Sequence, residues 1–292
     1  MATSHGGFQL IDSQHVGDDK IMFGANGVNS CVQDLLVFYK AMLDASEHSD
    51  NDNPFKNIEA ILSGHMPASG PSLLERSYAL GWHRSQLPNT IAGSSMNGNY
   101  VSDMPVLCRG SKSQLAFYHG GHSTASQNWV IMLPETKSVI VVLTNTMGNG
   151  DASNWVASLI LETLVDSPEK HNIVAIAETA SKRATQLWVE LHEKMEKGRI
   201  PDTTHKPAAQ YVAKHWNHVG NWHMDIYLEQ DSLRMAFQGD RQRSHVLTHY
   251  HHDVFTWLMT QDENMKHGRF PYTSSGQWLI KFQIKGYEVV GL

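Results

Sequence analysis

Three short apolar segments restrict what the first half of this chain can fold into. They are Leu115–His119, Asn128–Leu133 and Ser138–Thr144, and they are rich in β-branched and aromatic residues. The sequence Pro-Glu-Thr-Lys at positions 134–137 is typical of a turn between strands. We therefore predict three adjacent antiparallel strands. Because the run 139–143 is apolar at every position, we expect it to be a central strand covered on both faces.

Helical periodicity surrounds these segments. Apolar residues recur at helical spacing from Leu35 to Asp44, again after the capping residue Asp151, and in one stripe from Ile173 to Met195. Helices in these positions would cover the sheet. The pattern predicts an α+β fold for residues 1–198, in which helices flank an antiparallel sheet.

A second, different pattern begins after residues 199–208. Those ten residues contain two prolines and no apolar periodicity, so we predict a linker there. Beyond it, residues 209–292 consist of short alternating segments separated by turns rich in Gly, Asp, Asn and Ser. This predicts a small all-β domain, either a barrel or a curled meander.

Composition excludes several classes of function. The chain has 23 Lys+Arg against 29 Asp+Glu, a formal net charge of −6, and its basic residues are scattered, which argues against nucleic acid as a partner. No window reaches 18 apolar residues, and residues 1–7 lack the features of a secretion signal, so we expect no membrane association. Two cysteines, Cys31 and Cys108, fit a reducing compartment, and we expect a cytoplasmic protein.

Histidine is in excess, with 18 in the chain. The segment His249-Tyr-His-His-Asp253 resembles a metal cluster, but alternation along a strand would send its imidazoles to opposite faces. We therefore predict a structural role for these residues, with no metal and no cofactor.

Several blocks of the sequence together resemble a known family. They are GANGVNSCVQDLL at 24–36, YALGW at 78–82 and YHGGHS at 118–123, followed by VIMLPET and VIVVLTN. In order and spacing, this set is similar to the serine β-lactamase/DD-peptidase (penicillin-binding-protein-like) superfamily, most of all to its class C and esterase-like fungal branch. The region after the linker resembles the lipocalin-like C-terminal module of some members.

The resemblance implies where a site would lie. The third active-site motif of the family is a Lys-Thr-Gly or His-x-Gly triplet on an edge strand, and His119-Gly120-Gly121 stands at that position. His119 would then bond the substrate or transfer protons, and the backbone N–H of His122 would form half of an oxyanion hole. Gly120, Gly121 and Tyr118 would contact the substrate.

The family's nucleophile is not found where the resemblance places it. Its Ser-x-x-Lys and Tyr-x-Asn motifs belong upstream of the block at Gly24, where only residues 1–23 stand, and the chain has no Tyr-x-Asn. The single Ser-x-x-Lys, Ser167–Lys170, lies downstream and is interpreted as chance. We thus expect a family core without its N-terminal catalytic portion. Ser123, beside His122, is an alternative nucleophile.

Two classes of function remain open. The first is an enzyme that acts on a small natural-product-type molecule. It would hydrolyse or transfer an ester or amide with a nucleophile from a partner chain, or use His119 and His122 for non-covalent isomerisation or cyclisation. The second is a non-catalytic binding or oligomerisation module. In both, we expect a homo-oligomer or a partner chain to cover an open sheet edge.

Overall fold

The structure is a computed structural model that describes residues 23–47, 54–68, 72–123 and 126–292. The opening residues 1–7 and positions 124–125 lie outside these ranges. The chain divides into two compact units, 1–185 and 186–292. The division falls inside the helix Ile173–Lys197, and residues 199–208, predicted as a linker, belong to the second unit.

Six helices are found in the described residues, and five of them begin in the first unit. They are α1 (Phe23–Asn26), α2 (Val32–Glu47), α3 (Ile58–Leu62), α4 (Ala152–Leu164), α5 (Ile173–Lys197) and α6 (Gln261–Lys266). The helices predicted from periodicity correspond to α2, α4 and α5. Within the described ranges, no helix is both long enough and apolar enough to span a bilayer.

The first unit contains one antiparallel sheet with strand order β1-β2-β3-β4-β5-β6. Its strands are β1 (Met66–Pro67), β2 (Arg76–Tyr78), β3 (His83–Leu87), β4 (Gln114–His122), β5 (Gln127–Leu133) and β6 (Ser138–Thr144). The predicted trio of adjacent antiparallel strands is confirmed as β4, β5 and β6.

The run 139–143, predicted as a central strand, lies in β6. Among the described residues β6 is at one end of the sheet, with β5 as its one strand neighbour, so a central position is not confirmed. Helices α2 and α4 nevertheless both pack on it, and Val139 and Val141 join the core formed with Met42 and Leu43 of α2. The run is apolar because helices pack on both faces of the strand. Such a pattern does not indicate whether a second strand is hydrogen-bonded to its free edge.

The second unit is built from short strands and has its own cores. They are β7 (Ala213–Trp216), β8 (His223–Glu229), β9 (Ser232–Phe237), β10 (His245–Val246), β11 (Thr248–His251), β12 (Val254–Thr256), β13 (Leu279–Lys281), β14 (Gln283–Lys285) and β15 (Glu288–Gly291). They form a four-stranded meander and sheets of three and two strands. Residues 186–292 are all described, and these sheets do not close into a barrel, so the expected lipocalin-like barrel is not found.

Candidate functional site

The second half of β4 is hydrogen-bonded to a neighbouring strand on one side. Strand β3 bonds to β4 from Gln114 to Tyr118, and the pairing ends where His83 meets Tyr118. From His119 to His122, the part of the chain that the structure describes supplies only β5 as a partner. The motif strand is therefore interior along its first half and an edge along its second. Unpaired backbone groups of this kind can bond an extended ligand.

His119 lies at the start of this open segment. Its Nε2 is 3.1 Å from the hydroxyl oxygen of Tyr78, and its ring centroid is 5.6 Å from that of His83. Burial lowers the pKa of His119, and the neighbouring His122 lowers it further, against a hydrogen bond to the backbone of Gly120 that raises it. His119 is therefore a neutral imidazole at neutral pH.

His83, the first residue of β3, is the second imidazole of the cluster. Its Nε2 bonds to Ser94 Oγ at 2.8 Å, and its ring stacks on Tyr118 at a centroid distance of 5.0 Å. Burial, followed by the charge of His119, lowers the pKa of His83 to about 4. A Cβ at position 93 would lie 2.6 Å from the imidazole, so Gly93 leaves room for the ring.

His122, at the end of β4, forms a pair with a fully buried carboxylate. Its Nε2 lies 3.0 Å from Asp151 Oδ2, and the Asp151 side chain is 0% exposed against 16% for His122. Burial would raise the pKa of Asp151, but hydrogen bonds from His122, Ser153 and Ser95 outweigh it and hold that pKa below its usual value. Because an ionised carboxylate only accepts, His122 Nε2 carries the proton, and Nδ1 is the nitrogen that can act as a base.

The carboxylate of Asp151 is held on both oxygens. Ser95 Oγ donates to Oδ2 at 2.8 Å, while Ser153 Oγ and the backbone N–H of Asn154 donate to Oδ1 at 2.6 and 3.1 Å. Asp151 is also the N-cap of α4, where the helix dipole favours a negative charge. These contacts fix the orientation of His122 before any substrate arrives.

Two buried amides fix the backbone around Asp151. Asn97 bonds both the N–H and the C=O of Asp151, at 2.8 and 2.9 Å. Gln127 bonds the carbonyl of Gly150 at 2.8 Å and accepts from the N–H of Ala152 at 3.3 Å. The start of α4 is therefore tied to β5 and to the loop that follows β3.

Only part of this arrangement follows from the sequence. Its pattern predicts Asp151 as a helix cap, which is confirmed, but does not indicate a place for it in a site. It indicates no role for His83 or Tyr78 either, although Tyr78 begins the YALGW block and His83 follows it. The long stretch after β3 supplies Ser94 and Ser95, and no local signal distinguishes these serines from solvated loop residues.

The remaining predicted site residues on β4 are packed into the sheet. Tyr118 is buried between His83 and Trp129, with its ring centroid 6.0 Å from that of Trp129. A Cβ at Gly120 would lie 2.2 Å from Trp129 Cζ3, and one at Gly121 would lie 2.6 Å from the side chain of Asn128. The absence of a side chain at 120 thus makes room for the indole of Trp129.

The candidate nucleophile Ser123, and the Ser167 whose motif is interpreted as chance, both bond to neighbouring backbone or hydroxyl groups. Ser123 Oγ lies 2.8 Å from Ser126 Oγ, and the Ser123 N–H bonds to the Ser126 carbonyl at 2.9 Å, so the two close the β4–β5 connection. Ser167 of the Ser-x-x-Lys sequence is buried and bonds the carbonyls of Arg109 and Glu169. In the described residues, no group of three or more His, Cys, Asp or Glu is arranged to hold a metal.

Comparison with solved structures gives weak similarities. The octameric penicillin-binding protein homologue from Pyrococcus abyssi is 14% identical with a TM-score of 0.32, over 78% of this chain and 40% of that chain. The crystal structure of SurE is 14% identical with a TM-score of 0.28, over 79% of this chain and 41% of the other. This chain thus spans about two fifths of these proteins.

Family models give the stronger result. No curated protein matches this chain. A domain of unknown function, DUF3471, matches residues 199–291. The Beta-lactamase family model matches residues 2–163, which include β4, both of its histidines and Asp151. Since that match covers more than half of the 292 residues, the chain belongs to the beta-lactamase family.

Proposed function

We propose that this chain hydrolyses or transfers an ester or amide of a small natural-product-type molecule, with His122 as general base and Asp151 as its orienting partner. The single observation that carries this proposal is the 3.0 Å bond between His122 and a fully buried, ionised Asp151, at the open end of β4. Residues 119–122 offer backbone groups against which an acyl substrate can lie.

The tautomer of His122, protonated on Nε2, determines which nitrogen can accept a proton. His122 Nδ1 takes a proton from the attacking water or hydroxyl as the new C–O bond forms, and the buried carboxylate stabilises the imidazolium that results. The imidazolium then returns the proton to the leaving oxygen or nitrogen as the old bond breaks. General acid–base catalysis of this kind contributes roughly 10²–10⁴-fold to a rate.

His83 and His119 complement this role because they stay uncharged. Their lowered pKa values mean that, near neutral pH, neither places a positive charge beside His122. His119 and the hydroxyl of Tyr78 form a neutral hydrogen-bonding pair that can orient a substrate carbonyl.

The test is turnover of p-nitrophenyl butyrate by the purified chain, together with labelling by a fluorophosphonate. We expect measurable hydrolysis that falls about 100-fold in His122→Gln. Labelling that disappears in Ser123→Ala would replace this mechanism by a covalent one with Ser123 as nucleophile. Hydrolysis that is absent, or the same in His122→Gln, would overturn the proposal.

The second candidate function is association with another chain. The edge of β6 that faces away from β5 favours it. That side has no strand partner in the described residues, and apolar side chains of α4 are exposed, Leu159 by 45% and Leu164 by 49%. A homo-oligomer or a partner chain would cover this surface. Light scattering is expected to show an oligomer that Leu159→Asp dissociates, and a monomeric wild-type chain would contradict the homo-oligomer.

A further inference from the structure

A cavity of about 390 Å³ lies in the second unit, in a part of the chain that the proposed hydrolysis does not use. Half of its eight lining residues are aromatic, namely Trp257, Phe270, Tyr272 and Trp278, and Arg269 is also part of the lining. The volume is within the range of sites for small organic molecules.

Arg269 differs from every other arginine of this unit. Residues 186–292 contain five arginines, and four of them have a carboxylate within 4.0 Å: Arg199, Arg234, Arg241 and Arg243. Arg269 has none among the described residues. A partly buried guanidinium is ordinarily compensated by an anion, so this cation lacks the expected counter-charge.

Within the part of the chain that the structure describes, the contacts of Arg269 leave most of its N–H donors unused. Nη2 donates to His245 Nε2 at 2.6 Å, and the guanidinium carbon lies 5.0 and 5.2 Å from the ring centroids of Trp257 and Phe237. A guanidinium has five N–H donors in a planar fork, and one neutral imidazole satisfies one of them. The rings hold the fork by cation–π contacts, which use no N–H donor.

The charges around Arg269 do not neutralise it. His245 is neutral, because burial and then the charge of Arg269 lower its pKa to about 4. The carboxylate of Glu263 is engaged at the N-terminus of α6, where it accepts hydrogen bonds from the N–H and hydroxyl of Thr260 at 2.9 Å each. The cavity therefore keeps a net positive group against an apolar wall.

Hydrogen bonds hold the walls in place before a ligand binds. Trp278 donates its indole N–H to the carbonyl of Tyr272 at 3.2 Å, and Trp257 donates to that of Gln277 at 3.0 Å. The buried side chain of Asn264 bonds the carbonyl of Phe270 at 3.1 Å. Because the indole N–H groups are satisfied by backbone, the tryptophans offer a ligand only apolar surface.

We propose that this cavity binds a small amphipathic carboxylate, with its carboxylate on the free N–H donors of Arg269 and its aromatic or short acyl body against Trp257 and Trp278. A carboxylate matches the geometry of the guanidinium fork and supplies the missing negative charge. The residues that line this cavity all belong to the second unit, and the proposed binding does not depend on hydrolysis.

Calorimetric titration of the full chain tests this with two matched probes, 4-phenylbutyrate and the neutral 4-phenylbutyramide, and with inorganic phosphate as a charge without an apolar body. We expect the carboxylate to bind at least 10-fold more tightly than the amide, and phosphate not to bind. Equal affinity for acid and amide, tighter binding of phosphate, or no binding of the carboxylate at 1 mM would overturn the proposal.

Variants locate the site. Arg269→Met is expected to weaken 4-phenylbutyrate at least 10-fold, whereas the matched control Arg241→Met, which removes an arginine over the Tyr227 ring and paired with Asp225, leaves it unchanged. If Arg269→Met does not fold, Gln277→Glu serves instead. Its side chain is exposed, and we expect the new carboxylate to compete for Arg269 and weaken binding about 10-fold. An unchanged affinity in the folded variant would contradict the assignment.

Discussion

Two buried carboxylates at opposite ends of α4 each pair with a partly exposed histidine, and the two pairs differ in what surrounds them. His122 and Asp151 meet at its N-terminus, beside the open end of β4. His171 and Glu162 meet near its C-terminus, with Nδ1 and Oε1 2.7 Å apart. The chemical groups are alike, so any difference in function must come from their surroundings.

The pair of His171 and Glu162 has a structural role. Glu162 accepts hydrogen bonds from the backbone N–H groups of Cys108 and His171 as well as from the imidazole, and thereby closes the connection between α4 and α5. No strand edge adjoins it in the described residues. At the first pair, the carboxylate is bound by side chains and the helix start, and the imidazole stands beside backbone groups without a strand partner. Exposure does not separate the two pairs, since the His171 side chain is 25% exposed and that of His122 is 16% exposed. The unpaired backbone of β4 beside His122 is the difference that makes the first pair the candidate site.

The largest expected effect on activity comes from neutralising each of the two carboxylates. Asp151→Asn keeps an oxygen at the N-cap but removes the charge that orients His122, so kcat/KM for p-nitrophenyl butyrate is expected to fall about 100-fold. Glu162→Gln removes the matching charge at the other pair, and we expect activity to be unchanged. Equal losses in the two variants would mean that the pairs do not differ in function.

A smaller effect concerns the strand that carries His122. In Gly120→Ala, the new Cβ would lie 2.2 Å from the ring of Trp129, and we expect a loss of roughly 1–3 kcal/mol in the free energy of unfolding, measured with urea. Gly148→Ala is the control, since nothing lies within 4 Å of its Cβ position and its backbone does not require glycine. A loss as large in the control would show that Trp129 does not set the position of this strand.

A comparable effect should appear in the pH dependence of stability. The pKa of His83 is lowered to about 4 in the folded chain from 6.5, so the unfolded state binds more protons between these values. Its contribution to stability is present above pH 6.5 and is lost as the pH falls toward 4. After allowance for partial exposure, we expect about 1–2 kcal/mol. His83→Gln should flatten this slope, and exposed His65→Gln should not. An unchanged slope in the first variant would contradict the assignment.

The smallest effect separates the two oxygens of Asp151. Ser95→Ala removes the donor to Oδ2, the oxygen that also binds His122, and we expect kcat/KM to fall about 3- to 10-fold, the value of one hydrogen bond. Ser153→Ala removes a donor to Oδ1 and should have less effect. The reverse order would argue that the imidazole is not positioned through Oδ2.

Part of this account was predictable from sequence because part of it is local. The strands β4 to β6 follow from apolar runs and a turn signal, and the cap at Asp151 follows from its place before an apolar stripe. The hydrogen bond between His122 and Asp151, which is 29 positions later, depends on how β4, β5 and α4 pack. The periodicity of the sequence does not indicate this packing. The same holds for Arg269, whose lack of a counter-charge is visible only in three dimensions.

The central claim, that only the pair at the open strand acts on a substrate, is tested most directly by one ratio. It is kcat/KM for p-nitrophenyl butyrate in His171→Gln divided by that in His122→Gln, both measured on folded protein. We predict a ratio of about 100, with His171→Gln close to wild type. A ratio near 1 would contradict the account.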